Sequence, residues 1–132
     1  MDSFKVVSKN VAPTVFEAEA RGHKTVCDVP PALNGSDTAM LPPETLLAAL
    51  GNCLGMVIAL TCRAKGIPYE GMVVTTTADA VDGGSRLDNF RVEVQMPGEL
   101  DARARRLVES AKELCKVGHT LAHGAKVEEI IL

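Results

Sequence analysis

Cys53 and Cys115 are the residues of this 132-residue chain best placed by type and setting to do chemistry. Cys53 lies inside the apolar run Leu46–Cys62, LLAALGNCLGMVIALTC. Cys115 ends the amphipathic stretch Leu100–Leu114 and is followed by KVGHTL. A thiol in a water-poor place is either an inert small hydrophobe or a selective redox nucleophile. Peroxide reduction needs a thiolate that attacks the O–O bond and is left as a sulfenic acid. A second thiol then condenses with it to a disulfide and protects it from over-oxidation. The plain alternative at both positions is a packed core cysteine, since free Cys is among the most buried residue types. The middle of a helix gives Cys53 no help from the dipole, so ionising it would require an arginine from another element.

Other reactive residue types form weaker patterns. Cys62 follows Cys53 by nine residues, which at about 100° per residue puts it on the opposite helix face. Cys27 sits in a strand between Val26 and Asp28. Both read as structural. Cys115, His119 and His123 are spaced four apart, and on an unbroken helix they could join Cys53 in a Cys/His metal site. Gly118 and Gly124 argue against an unbroken helix, and no Cys-x-x-Cys pattern is present, so no metal is expected. Glu128, Glu129 and Asp101 read as solvated faces or caps. Gly83-Gly84 lacks the strand–glycine–helix context of a phosphate-binding loop.

The elements that must position the two thiols follow from pattern and punctuation. Phe4–Ser8, Thr14–Ala20 and His23–Val29 carry β-branched or aromatic residues in partial alternation and predict three strands, with a tight turn at Arg21-Gly22. Pro30 and Pro31 end the third, and Leu33–Met40 is a loop of turn formers. Pro42-Pro43-Glu44 opens a long helix, with proline in the first turn and an acidic residue at the positive end of the dipole. It should run to about Lys65, where Gly66 and Pro68 stop it. Being apolar nearly all round, it must be surrounded by protein. Gly51 and Gly55 should let another element approach closely. Met72–Val81 and Leu87–Met96 predict a hairpin around Asp82-Gly83-Gly84. Asp101 should cap a following helix. Lys116–Ala122 is expected to be a short helix broken at Gly118, and Lys126–Leu132 a last strand. The order predicts one α+β domain over residues 1–132, with an antiparallel sheet packed on the central helix. So apolar a helix in so short a chain implies a homodimer.

Composition narrows the function classes. With 46% hydrophobic and 23% charged residues, the chain is an ordinary folded domain. Its net charge is −3, it has no basic block, and its aromatics are Phe4, Phe16, Phe90 and Tyr69 alone. Nucleic-acid binding is therefore not expected. MDSFKVVSKN has no apolar core of a signal peptide. Leu46–Cys62 falls short of a membrane span and contains Asn52 and two glycines. Four cysteines without a secretory signal point to a reducing cytoplasm and free thiols.

Two words in the chain, PPETLLAALGNCLGM with its stop at AKGIP, and AKELCKVGHTL, resemble the OsmC/Ohr family of osmotically inducible and organic hydroperoxide resistance proteins. The resemblance runs over most of the chain, from the early strands to the closing one. It implies an intertwined homodimer in which two sheets wrap paired central helices and the active sites form at the subunit interface. It implies a thiol peroxidase with Cys53 as peroxidatic nucleophile, Cys115 as resolving thiol, and Glu44 as the carboxylate that places an arginine over the thiolate. Arg21, in the turn before the third strand, matches the arginine's location in Ohr-like members, and Arg86 is a second candidate. The substrate would be an organic or lipid hydroperoxide, the reductant an external dithiol, and no bound cofactor is needed. The chain departs from the family in two places. Pro43 fills the position of the family's glutamate, so Glu44 comes one residue late, about 100° round the helix. The loop Leu33–Met40 has no arginine. These departures mark a divergent OsmC-like subgroup, whose alternative role is a non-catalytic dimer that binds an apolar small molecule at the interface.

Overall fold

The computed structural model describes residues 3–132. Three strands come first, β1 (Val7–Ala12), β2 (Val15–Ala20) and β3 (His23–Cys27). The long helix α1 (Pro42–Lys65) follows, then the strands β4 (Val73–Val81) and β5 (Arg86–Gln95), and the helices α2 (Ala102–Ala111) and α3 (Lys116–His123). Short 3-10 turns occupy Pro31–Leu33, Asp82–Gly84 and Lys112–Leu114. The chain forms two compact units, one ending at Leu46 and the other running Leu47–Leu132.

In the first unit the strands make an antiparallel sheet in the order β1-β2-β3. Arg21 and Gly22 both take left-handed backbone, at φ 54° and 83°, which is what a two-residue hairpin turn between twisted strands requires. β1 lies later than the predicted Phe4–Ser8. Asn10 explains the shift: its side-chain amide donates to Ala12 O at 2.6 Å and to Val15 O at 3.1 Å. These bonds tie the following turn and extend pairing to Ala12, across an irregularity between Asn10 and Ala12. β3 stops at Cys27, short of the predicted Val29, because the Asp28 carboxylate captures the Val29 N–H at 2.7 Å and takes it out of the strand ladder.

In the second unit, β4 and β5 form the predicted hairpin, in register Val74↔Val94 and Thr76↔Val92, with a bulge between Thr77 and Asp79. One face of the hairpin packs on α1. A Cβ on Gly51 would come within 2.5 Å of Thr76 Oγ1, and one on Gly55 within 3.3 Å of Val74 Cγ2. The glycines therefore admit a strand, and β4 is the element they admit. Leu50, Leu54, Ile58 and Cys62 carry the buried stripe of α1, and Ile67, Ala104, Ala111 and Cys115 complete the core. Phe90, Val92 and Val94 pack against it from β5. Asp101 caps α2, its carboxylate accepting from the Ala104 N–H at 2.8 Å.

Two further expectations are corrected. α3 runs unbroken through Gly118, because the chain kinks earlier, at Cys115, whose extended backbone starts the helix. Lys126–Leu132 is not a strand and is exposed throughout. Its apolar, β-branched residues suit a sheet, but a strand needs an edge to pair with, and among the described residues none pairs with it. Within the single chain one side of α1 stays exposed, with Met56 and Leu60 at 60% and 65%.

Candidate active site

Cys53 and Cys115 come together in the second unit. Cys53 is half-buried on α1 and packs against the core. Cys115 is buried, 5% exposed, at the N-cap position of α3. Both are free thiols. Burial pushes the Cys115 thiol above its ordinary pKa, and the neighbouring Cys53 sulfur pushes in the same direction. The Gly118 amide, facing the Cys115 sulfur, pulls the other way. Cys115 therefore remains a protonated thiol at neutral pH. A protonated thiol is a poor nucleophile with which to open an attack on a peroxide. Cys62 is fully buried, and burial alone raises its pKa, the profile of an inert core cysteine. Cys27 lies 3.2 Å from the Thr45 hydroxyl in the first unit.

Glu44 and Arg21 belong to the first unit. Leu41 precedes α1, and its N–H donates to Glu44 Oε1 at 2.8 Å. Glu44 is the third residue of the helix and reaches back to the residue before it, which is one half of a capping box. This capping role was hidden in the sequence, where Glu44 read as a charge near the helix dipole and, by resemblance, as the carboxylate that places an arginine. Arg21 is exposed in the β2–β3 turn, and none of the described residues hydrogen-bonds or ion-pairs with it. Arg86, in the second unit, is committed to the hairpin end: its Nε lies 2.6 Å from Asp82 and its Nη1 3.2 Å from Asp88.

The histidines of the candidate metal set are engaged elsewhere. His119 Nε2 lies 2.7 Å from Glu113 O, and His123 Nδ1 lies 2.8 Å from His119 O. Among the described residues, no three His, Cys, Asp or Glu side chains form a metal-holding group.

Asp28 is the polar residue that sequence reasoning passed over. It is 1% exposed. Its Oδ1 accepts from the Thr14 hydroxyl at 2.7 Å and from the Val29 N–H. Its Oδ2 accepts from the Thr38 hydroxyl at 2.6 Å and from the Thr38 N–H at 3.0 Å. These donors, Thr38 foremost, hold the carboxyl far below the usual carboxylate range. The result pins the loop after β3. No local pattern announces it, because its partners lie 14 and 10 residues away.

Comparison with known proteins agrees with this architecture. Residues 35–130 match the family model described as OsmC-like protein. None of the curated proteins matches the chain in sequence. Among solved structures, an OsmC-like protein from Mycoplasma pneumoniae superposes with a TM-score of 0.72 at 17% identity, over 92% of this chain and 88% of that one. A candidate osmotic stress induced and detoxification response protein from Psychrobacter arcticus gives 0.78 at 16% identity, over 91% and 89%. The organic hydroperoxide resistance protein OhrB of Bacillus subtilis gives 0.60 at 15% identity, over 90% of each chain. At these identities the likeness is one of fold.

Proposed function

The chain belongs to the OsmC-like protein family, and from that premise we propose that it is a cysteine-based peroxidase that reduces organic hydroperoxides in defence against oxidative stress. The observation that carries this reading is the adjacency of Cys53 to a buried thiol, Cys115. Several of the solved structures that share the fold are named organic hydroperoxide resistance proteins.

In the proposed cycle the Cys53 thiolate attacks the peroxide O–O bond. A Cys53–O bond forms, and the alkoxide leaves and takes up a proton as the alcohol. The Cys115 sulfur then attacks the sulfenic sulfur. The S–S bond forms, the S–O bond breaks, and the hydroxyl departs as water with the Cys115 proton. An external dithiol reduces the disulfide by exchange and is itself oxidised to a disulfide. Such dithiols are maintained in a reducing cytoplasm, where the protein would act as a homodimer. The apolar character of α1 around Cys53 supports an organic substrate over hydrogen peroxide. Arg21 is the proposed cation for the thiolate, and Glu44 the carboxylate that would orient it.

Replacing Cys53 with Ser is expected to abolish turnover. Replacing Cys115 with Ser should leave one oxidation event per chain, followed by sulfinic acid at Cys53. Failure of the parent protein to consume any organic hydroperoxide with any dithiol would overturn the reading.

A second reading, a non-catalytic dimer that binds an apolar small molecule, is favoured by one pair of observations. Glu44 is occupied as a helix cap and Arg86 by two aspartates. Native mass spectrometry decides between them: a co-purified apolar ligand without peroxide turnover supports the second reading, and rapid turnover by a ligand-free protein excludes it.

A further inference from the structure

Gly118 has no backbone reason to be glycine. It lies inside α3 and is not among the residues with left-handed backbone. Glycine weakens a helix interior relative to alanine. What singles the position out is space: a Cβ there would lie 3.2 Å from Cys115 Sγ, 3.6 Å from Cys115 Cβ and 3.7 Å from Leu50 Cδ1. The first of these is tighter than ordinary contact, so the thiol would have to move. Cys115 begins α3 in extended conformation, and the first helical turn folds back over its own sulfur at Gly118.

We propose that Gly118 is a positioning residue for the resolving thiol: by carrying no side chain, it lets the first turn of α3 close over Cys115 and hold that sulfur beside Cys53. This rests on the thiol-pair reading above. Disulfide geometry is specific in distance and torsion, so a methyl that turns the Cys115 sulfur out of its seat impairs bond formation. The first step, attack of Cys53 on the peroxide, does not involve Cys115 and is left intact. In the second step the Cys115 S–H condenses with Cys53 S–OH, forming S–S and releasing water. When that condensation slows, a second hydroperoxide oxidises the sulfenic acid to sulfinic acid and departs as its alcohol.

The test compares the parent with Gly118→Ala in two assays. The first equilibrates each reduced protein with oxidised dithiothreitol, which becomes the reduced dithiol as the Cys53–Cys115 disulfide forms. It needs no peroxidase activity. The second follows single-turnover oxidation by cumene hydroperoxide. Ångström-scale misplacement of reacting groups costs up to about a hundredfold in rate. We expect the variant to lose about tenfold or more in both the disulfide equilibrium and the condensation rate, to accumulate sulfinic acid at Cys53, and to keep the parent's rate of first oxidation. A variant with the parent's disulfide equilibrium overturns the proposal, as does a parent that forms no Cys53–Cys115 disulfide. A parent that forms the disulfide yet consumes no hydroperoxide, with the variant impaired in the first assay, leaves the positioning role standing and removes the peroxidase reading. A folding defect is separated by a third comparison. In a Cys115→Ala background the crowded sulfur is gone, so Gly118→Ala should raise the melting temperature; a fall there would also overturn the proposal.

Discussion

At Asp28, four donated hydrogen bonds meet one buried carboxylate, and at Cys115 burial meets a thiol. The two respond to pH in opposite directions. The native pKa of Asp28 is depressed relative to an unfolded value of about 3.9. Its contribution to stability is therefore full above that value and lost as pH falls towards the native pKa. Asp28→Ala should lower stability at neutral pH, because the Thr14 and Thr38 donors lose their acceptor, and should flatten the acid limb of urea unfolding measured between pH 5 and 2. The native pKa of Cys115 is raised. Its contribution is present below the unfolded thiol value of about 8.5 and is lost as pH rises through the native one. Cys115→Ala should remove that alkaline loss. Glu44 has two possible roles that one substitution separates. Glu44→Gln can keep the bond to the Leu41 N–H but not the charge. Peroxide turnover equal to the parent's would leave Glu44 as a cap alone, whereas a drop at unchanged melting temperature would support an electrostatic role.

At the scale of elements, α1 organises the second unit through a glycine-lined side that admits β4 and a buried stripe of Leu50, Leu54, Ile58 and Cys62. Ile58 is 1% exposed, and Ile58→Ala should cost about 2–5 kcal/mol in a denaturant titration, the range for a truncated core aliphatic. Gly51→Ala forces a methyl against Thr76 Oγ1 and should cost about 1–3 kcal/mol, the range for an overpacked site. Thr76→Ala in the same chain should recover much of that loss. Local signals of this kind were legible in the sequence. Prolines and an acidic residue start α1 and Gly66 ends it, a glycine-rich turn joins β4 to β5, and Asp101 caps α2. What could not be read was set by distant partners. Asp28 draws on Thr14 and Thr38, and Asn10 lengthens β1 by bonding across its turn. Gly118 looked like a breaker because a glycine's local propensity is visible in sequence, while the sulfur packed against it is not.

For the whole molecule the open question is what covers the apolar surface that one chain leaves exposed. Met56 and Leu60 lie one turn apart on the exposed side of α1, and Val127, Ile130, Ile131 and Leu132 are exposed at the C-terminal end. Isolated exposed apolar residues are ordinary, but concentrations of them mark interaction sites. On the homodimer proposal a second copy covers them. Sedimentation should then give twice the 14.0 kDa chain mass, and Met56→Lys with Leu60→Lys should shift the protein to monomer and lower its stability. A monomeric parent would contradict the dimer. The proposed pairing of Cys53 with Cys115 stands apart from that outcome, since both thiols lie in one unit of one chain. The most direct measurement is a stopped-flow and mass-spectrometric titration of the reduced protein with cumene hydroperoxide and, separately, hydrogen peroxide. Fast loss of two thiols, a mass decrease of two hydrogens mapped to Cys53–Cys115, and a preference for the organic peroxide are expected. Slow, unselective oxidation spread over all four cysteines would contradict the peroxidase reading and leave the thiols as core packing.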